Sequence, residues 1–184
     1  NLQNELGERR RAEDRILTQV ERLTALQQVE RAIASTFDME LSLNTLLSFA
    51  VKLLSADAAA VLLLNPATYS LEYVSGLGFR SGTVKLGSVN LLGSYAGHVA
   101  QNRQAAHISN LAEGSGNLFP DGFLKEEKFV EYHAVPLVVK GQLPGVMEIF
   151  NRAKAERGDD WFNFLDVLAG QAAIGFRCHD VQQF

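Results

Sequence analysis

The stretch that most constrains the fold is 134–152, AVPLVVKGQLPGVMEIFNR. Val135, Leu137, Val138 and Val139 precede a tight turn at Lys140-Gly141-Gln142, and Val146, Met147, Ile149 and Phe150 follow it. Branched and aromatic side chains at this density suit a pleated surface, so the stretch reads as two strands of a hairpin. Glu148 is the only charge inside the second arm. Arms this apolar belong at the centre of a sheet. Pro144 has no N–H to give a ladder, so regular pairing is expected from Val146, with a bulge or bend just before it.

With 184 residues, 47% of them hydrophobic, the chain can build one cored domain with an appendage. Its net charge is -4, with acids and bases interspersed, which is not the basic footprint of a nucleic-acid binder. A single cysteine, Cys178, excludes an internal disulfide and a cysteine-rich metal site, and fits a reducing, cytoplasmic compartment. No apolar run reaches the length of a membrane span and no signal peptide opens the chain, so direct membrane insertion is not expected. A first residue of Asn1, without Met, reads as a fragment of something longer.

Residues 1–36 carry one long helical pattern. Through Arg22 it holds five Arg against five acids, so its surface is solvated and near neutral. Leu2 and Leu6, then Ile16, Val20 and Leu23, trace a narrow seam of the coiled-coil kind. Leu26, Val29, Ile33 and Phe37 continue in a shifted phase, which would roll the helix onto a domain. A break is expected at 38–42. A second helix follows, with Leu43, Leu46, Leu47, Ala50 and Leu54 on one face. The apolar run 58–64 reads as a buried strand, Asn65-Pro66 as a turn, and 71–76 as a second strand.

Gly76-Leu77-Gly78 is not a dinucleotide fingerprint, because Ser81 stands at the third glycine position and a strand-like segment follows. A short strand within 83–90, a short helix over 92–102 and a strand over 105–108 come next. The stretch 110–122 is punctuated by Gly114, Gly116, Pro120 and Gly122 yet contains Leu118 and Phe119, with Phe123 just after, which suggests a binding lid. One or two helical turns over 123–129 lead into the central hairpin, whose first strand is expected from Glu131. The last helix begins after Gly158, with Asp159 as its cap. Phe162, Leu165, Ala169, Ala172 and Phe176 form its stripe.

These pieces in this order resemble a GAF domain. The resemblance runs from Leu23 to about His179 through ADAAAVLLLNPATYSLEYVSGLGFR, GSYAGHVAQNRQAAHISNL, AVPLVVKGQLPGVMEIFNR and WFNFLDVLAGQAAIGF. It is closest in wording to GAF domains of bacterial signalling proteins such as histidine kinases and cyclic-di-GMP enzymes of the HD-GYP or GGDEF type. RRRAEDRI is similar to the signalling helices that link such modules, which divides the chain into a coiled-coil linker over 1–22 and a domain over 23–184. The fold this implies is α+β: a mainly antiparallel sheet of about six strands, with terminal helices on one face and a short helix plus lid on the other.

The resemblance also implies a non-catalytic module holding an unidentified small molecule over one face of the sheet. Its roof would be Tyr95 and His98 with Phe119, Phe123 and Phe129, and Phe79 would close one end. The floor is either Val135, Leu137, Met147 and Ile149 or the opposite set, since alternation alone does not choose. His133 is read as a further polar group facing that cavity. The four histidines lack the close spacing of a helical metal pair, so no metal is expected. Cys178 is not where the family's bilin-linking cysteine is expected. The family's cyclic-nucleotide signature is broken: Asn151-Arg152 and Phe164 match it, but Leu168 and Ala169 stand where acids should. Asp166 is then expected to pair with Arg152 in a structural role. The chain is expected to be a homodimer through Ile16, Val20, Leu23 and Leu26 with Leu165, Ala169, Ala172 and Phe176, connected to neighbouring signalling domains. The alternatives are a dimerisation and relay module with no ligand and, despite the broken signature, a cyclic-nucleotide-binding GAF domain.

Overall fold

A charged opening with helical spacing forms α1 (Leu2–Ser35), and the leucine stripe after it forms α2 (Met39–Leu53). Then come β1 (Ala58–Asn65), β2 (Ser70–Leu77), β3 (Ser88–Asn90), α3 (Tyr95–Asn102), β4 (Ala106–Ile108), α4 (Leu111–Gly114), α5 (Phe123–Glu127), β5 (Glu131–Val139), β6 (Gln142–Asn151) and α6 (Asp159–Asp180). The structure is a computed structural model that describes residues 2–35, 39–82, 88–114 and 119–180. Expectations for Phe37, Asp38, Gly116, Leu118 and strand residues 83–87 lie outside the described residues, as do those for the side chains of Ile33, Gly114, Cys178 and His179. The break expected through residue 42 is shorter: α2 starts at Met39, which packs on the core one turn before Leu43.

The six strands form one sheet in the order β3-β2-β1-β6-β5-β4, with every neighbouring pair antiparallel. β5 and β6 turn at Lys140 and Gly141, whose φ values of 48° and 78° are those of a two-residue turn that follows the twist of its strands. The expected irregularity before Val146 is present. Leu137 faces Gly145 but Val139 faces Gln142, so the register shifts across Pro144. A side chain at Gly145 would meet the Leu62 carbonyl of β1, which is why the two central strands can lie together there.

Alternation then separates two cores. Ala59, Val61, Val135, Leu137, Met147 and Ile149 face α1, α2 and α6, among Leu46, Leu47, Leu168 and Phe176. Ala58, Leu62, Ala134, Val146, Phe150 and Tyr132 face α3 and the lid, among Val99, Leu111, Phe123 and Phe129. Burying a side chain of this size stabilises by about 1.5–3 kcal/mol, so a one-residue register slip would exchange both cores at once.

The lid is fastened by an ion pair. Glu127, at the end of α5 and 0% exposed, meets Arg152 Nη2 at 2.9 Å and accepts the amides of Arg80 and Ser81 at 3.0 and 2.7 Å. Arg152 Nε also donates to the Glu127 carbonyl at 2.8 Å, and its guanidinium lies 4.7 Å over the Phe129 ring. The expected partner Asp166 is exposed on α6 instead. Arg152 belongs to the lid because it follows the end of β6 on the side where α5 closes. Gly78, at φ 88°, brings its carbonyl within 3.2 Å of Arg152 Nη2, and a side chain there would strike the Asp57 carbonyl. That close turn is the role of the Gly-Leu-Gly segment.

Glu127→Ala would leave the Arg80 and Ser81 amides without their acceptor and take the carboxylate from Arg152, whose guanidinium would keep only the Glu127 and Gly78 carbonyls and the more distant Asp57. The expected cost is about 3 kcal/mol of unfolding free energy by urea titration. A loss below about 1 kcal/mol would show that the lid is held by its aromatic contacts alone.

Candidate functional site

A cavity of about 230 Å³ lies between the sheet and the lid. Taking roughly 30 Å³ for each water, this is space for about eight waters, or a molecule the size of an amino acid. Its floor is Leu62 of β1 with Glu148 and Phe150 of β6, and its roof is Tyr95 and Ala96 of α3 with Phe119 and Phe123. Tyr73, Phe79 and Val89 close the sides. α3 is placed there by its cap: Ser94 accepts the Gly97 amide at 3.0 Å and donates to the Asn90 carbonyl at 2.9 Å. Gly97 has no room for a side chain against the Leu91 backbone, so the helix sits hard on the chain leaving β3.

The aromatic wall is continuous. Tyr95 and Phe119 are 5.7 Å apart between ring centroids, Phe119 and Phe123 stack at 5.5 Å, and Phe79 meets Phe150 edge-on at 5.6 Å. Three carboxyls line the cavity: Asp121 and Glu126 are exposed, and Glu148 stands on the sheet floor. Glu148 projects from the central strand between Val146 and Phe150, and the Tyr132 hydroxyl donates to its Oε1 at 2.7 Å. Burial pushes Glu148 up to about 7, partly offset by the Tyr132 hydrogen bond. Tyr132 itself is raised well above its ordinary value, first by burial and then by the charge of Glu148. Near neutral pH a small change in surroundings therefore switches the Glu148 charge.

Of the expected ligand-binding residues, Phe79, Tyr95, Phe119 and Phe123 line this cavity. Phe129 lies behind the floor, stacked at 4.7 Å on Phe150. His98 points to solvent, on the outer side of α3, and does not line the cavity. The floor is the opposite set to Val135, Leu137, Met147 and Ile149, which are covered by the terminal helices on the other face. His133 shares their parity and is buried against Trp161 of α6, 4.6 Å between ring centroids. There burial, then His107, lowers it to about 4.

Glu148, Leu62 and Phe150 were not singled out as site residues. The signal was available in Glu148, an acid in mid-strand with apolar residues on both sides.

The residues expected at a dimer contact also divide. Ile16, Val20 and Leu23 are exposed on α1, Leu23 at 61%. Leu26 packs against the chain's own core, and Leu165, Ala169, Ala172 and Phe176 are buried in it, because the α6 stripe they form is the one that covers the sheet. Among the described side chains of α6, the exposed large apolar ones are Phe162, Val167 and Ile174.

A raised folded-state pKa gives a definite pH dependence. From pH 4.5 to about 7 the folded chain keeps a proton on Glu148 that the unfolded chain has released, so stability falls as pH rises through that window. Glu148→Gln removes this fall. Relative to the parent chain, the variant is expected to gain about 2 kcal/mol between pH 4.5 and pH 7, read by urea unfolding at each pH. Parallel profiles for the two proteins would mean that Glu148 titrates normally.

Solved structures share this architecture. The GAF domain of a phosphoenolpyruvate-protein phosphotransferase from Coxiella burnetii superimposes with a TM-score of 0.78 at 16% identity, over 88% of this chain and 96% of that one. That of an Acinetobacter phosphoenolpyruvate-protein phosphotransferase gives 0.76 at 18% identity, over 86% and 94%. The GAF domain of a two-component sensor histidine kinase from Bacillus halodurans gives 0.64 at 18%, over 77% and 98%. At such identities the likeness establishes the fold. No curated protein matches in sequence. The GAF domain family itself matches residues 38–178, three quarters of the chain, and the chain therefore belongs to this family of sensory and regulatory modules in signalling proteins.

Proposed function

We propose that this domain senses a small molecule held between the sheet and the aromatic lid, and relays its presence through paired terminal helices to neighbouring domains. The observation that carries the reading is the carboxyl of Glu148 on the sheet floor of a cavity of about 230 Å³ lined mainly by aromatic and aliphatic side chains, the other two carboxyls of its lining, Asp121 and Glu126, being exposed. A module serving only as a spacer gains nothing from a carboxyl whose charge is penalised there. The ligand that suits the cavity has a compact apolar body for Phe119, Phe123 and Phe150 and a protonated amine or N–H donor for Glu148. Such a donor would draw Glu148 into its charged form and make a charge-assisted hydrogen bond. No catalytic step is part of this reading. A cytoplasmic location accompanies it, consistent with the absence, among the described residues, of any helix long and apolar enough to cross a membrane.

The relay half rests on α1. Leu2, Leu6, Ile16, Val20 and Leu23 are all exposed on the described chain, and the middle of their seam is occupied by Arg9 and Glu13, paired at 3.0 Å. A second copy of this chain would cover that seam, giving a helix pair whose crossing angle can be biased from the domain. Residues before Ala25, the first buried position of α1, would then serve as the linker.

Native mass spectrometry of the chain purified from its own source tests the ligand, with an expected one-to-one adduct of amino-acid size. Glu148→Gln should weaken its binding about tenfold or more, the worth of a hydrogen bond to a charged group. Hydrogen exchange should slow first in peptides covering residues 119–127. An adduct whose protection maps to α1 and α6 would overturn the cavity assignment. For the dimer, Ile16→Glu with Leu23→Glu should convert a dimer to a monomer in sedimentation while leaving the unfolding midpoint of the domain unchanged. A parent chain that sediments as a monomer at tens of micromolar, about the Kd of a weak interface, would overturn the pairing.

A further inference from the structure

On the face of the sheet opposite the cavity, β4 and β5 bring together three metal-ligating side chains, one of them far from the other two in sequence. His107 of β4 pairs directly across the ladder with His133 of β5, and Glu131 precedes His133 by two positions on the same face. His107 Nε2 is 2.9 Å from Glu131 Oε1, and His133 Nε2 is 3.5 Å from the same oxygen. One donor atom from each residue falls within 4.8 Å of the others. Donors bound at about 2.0–2.2 Å around a tetrahedral ion stand roughly 3.3–3.6 Å from one another, so the 3.5 Å from His133 to Glu131 already matches and the 2.9 Å from His107 to Glu131 is close to it.

Two further observations point to a missing partner. Glu131 and His133 are 3% and 2% exposed, yet among the described residues Glu131 Oε2 has no hydrogen-bond partner and His133 Nε2 has only the 3.5 Å approach to Glu131 Oε1, which is not a hydrogen bond. Buried polar atoms in this condition are uncommon and costly, and a bound cation would satisfy both. The third donor supplies an entrance, since the His107 side chain is 44% exposed. The two imidazoles are stacked, 4.1 Å apart and nearly parallel. A tilt of the exposed His107 ring is the adjustment that would turn its Nε2 toward an ion lying in the plane of the His133 ring.

We propose that His107, Glu131 and His133 form a binding site for a single divalent first-row transition ion, of the zinc(II) or iron(II) type, with its remaining positions open toward His107. Two imidazoles and a carboxylate, without a thiolate, suit ions of this class and not calcium or magnesium. Glu131 supplies the negative charge of the site, and Arg157, whose guanidinium lies 4.8 Å over the Trp161 ring beside His133, opposes it. Phe162 forms the outer wall, 6.4 Å from His107 and 5.7 Å from His133 between ring centroids. The ion would thus tie the edge strand β4 to β5 beneath the first turn of α6, independently of anything held under the lid.

The test uses the whole chain, stripped with a chelator and titrated with cobalt(II). Trp161, its only tryptophan, is 4.6 Å from His133 and reports on the site by fluorescence. The expected result is saturable uptake of one equivalent, visible cobalt absorption, quenching of Trp161, and displacement by zinc(II). His107→Ala, at an exposed position that leaves the fold intact by circular dichroism, should weaken binding at least tenfold, as should Glu131→Gln. A variant lacking His98, Cys178 and His179 should bind as the parent does. Failure of the folded parent to take up cobalt, parental affinity in His107→Ala, or loss of binding in the triple variant would each overturn the assignment.

Discussion

The pair between Glu127 and Arg152 is the contact on which the upper half of the molecule depends. It joins three segments with little else in common: the end of α5, the loop after β2 and the end of β6. With Arg152 partly open to solvent and Glu127 fully buried, the pair is worth less as a source of stability than as a constraint on geometry. Remove the acid, and two amides, a guanidinium and the stacking of Arg152 on Phe129 lose their common anchor. Lid position and cavity volume both follow from where this one carboxylate sits. Asp57 adds a second tether by accepting the Arg152 amide at 2.6 Å, which fixes the backbone as well as the side chain.

The sheet carries two apolar cores, and each is interrupted by ionisable groups in a different way. Under the lid the intruder is Glu148, answered by the Tyr132 hydroxyl and by the cavity itself. Beneath α6 the intruders are Glu131 and His133, which answer each other poorly. Polar residues in central strands forfeit packing, so both places depart from what stability alone would select. The two departures lie on opposite faces of neighbouring strands. Tyr132, between Glu131 and His133 in sequence, is itself the partner of Glu148.

The order of elements was legible because apolar runs and turn residues alternate cleanly along the chain. The strand starts at Glu131 and Ala58 and the α6 start at Asp159 follow from patterns a few residues long. What those patterns could not decide was the face. Val135, Leu137, Met147 and Ile149 are as apolar as Leu62, Val146 and Phe150, so periodicity alone leaves the sheet's two sides interchangeable. The choice is made by long-range packing of the stripe from Phe164 to Phe176 onto the first set. The same packing removes Leu165, Ala169, Ala172 and Phe176 from any outward surface. His107 and His133, 26 positions apart, become neighbours only through strand pairing, a contact that residue spacing does not carry.

β6 is the element through which the two faces must communicate. Glu148 and Phe150 form the cavity floor, while Met147 and Ile149, one residue away in each case, lie under α2 and α6. A strand paired on both sides cannot move one set of side chains without the other, and close-packed interiors transmit such displacements instead of absorbing them. A ligand that pulled the Glu148 carboxyl from Tyr132 would therefore act on the same backbone that supports α6. Drawing the carboxyl into its charged form costs less as pH rises toward about 7. A cavity floored by alanine and leucine in place of Glu148 would be more stable and would have no comparable means of coupling a bound charge to the strand.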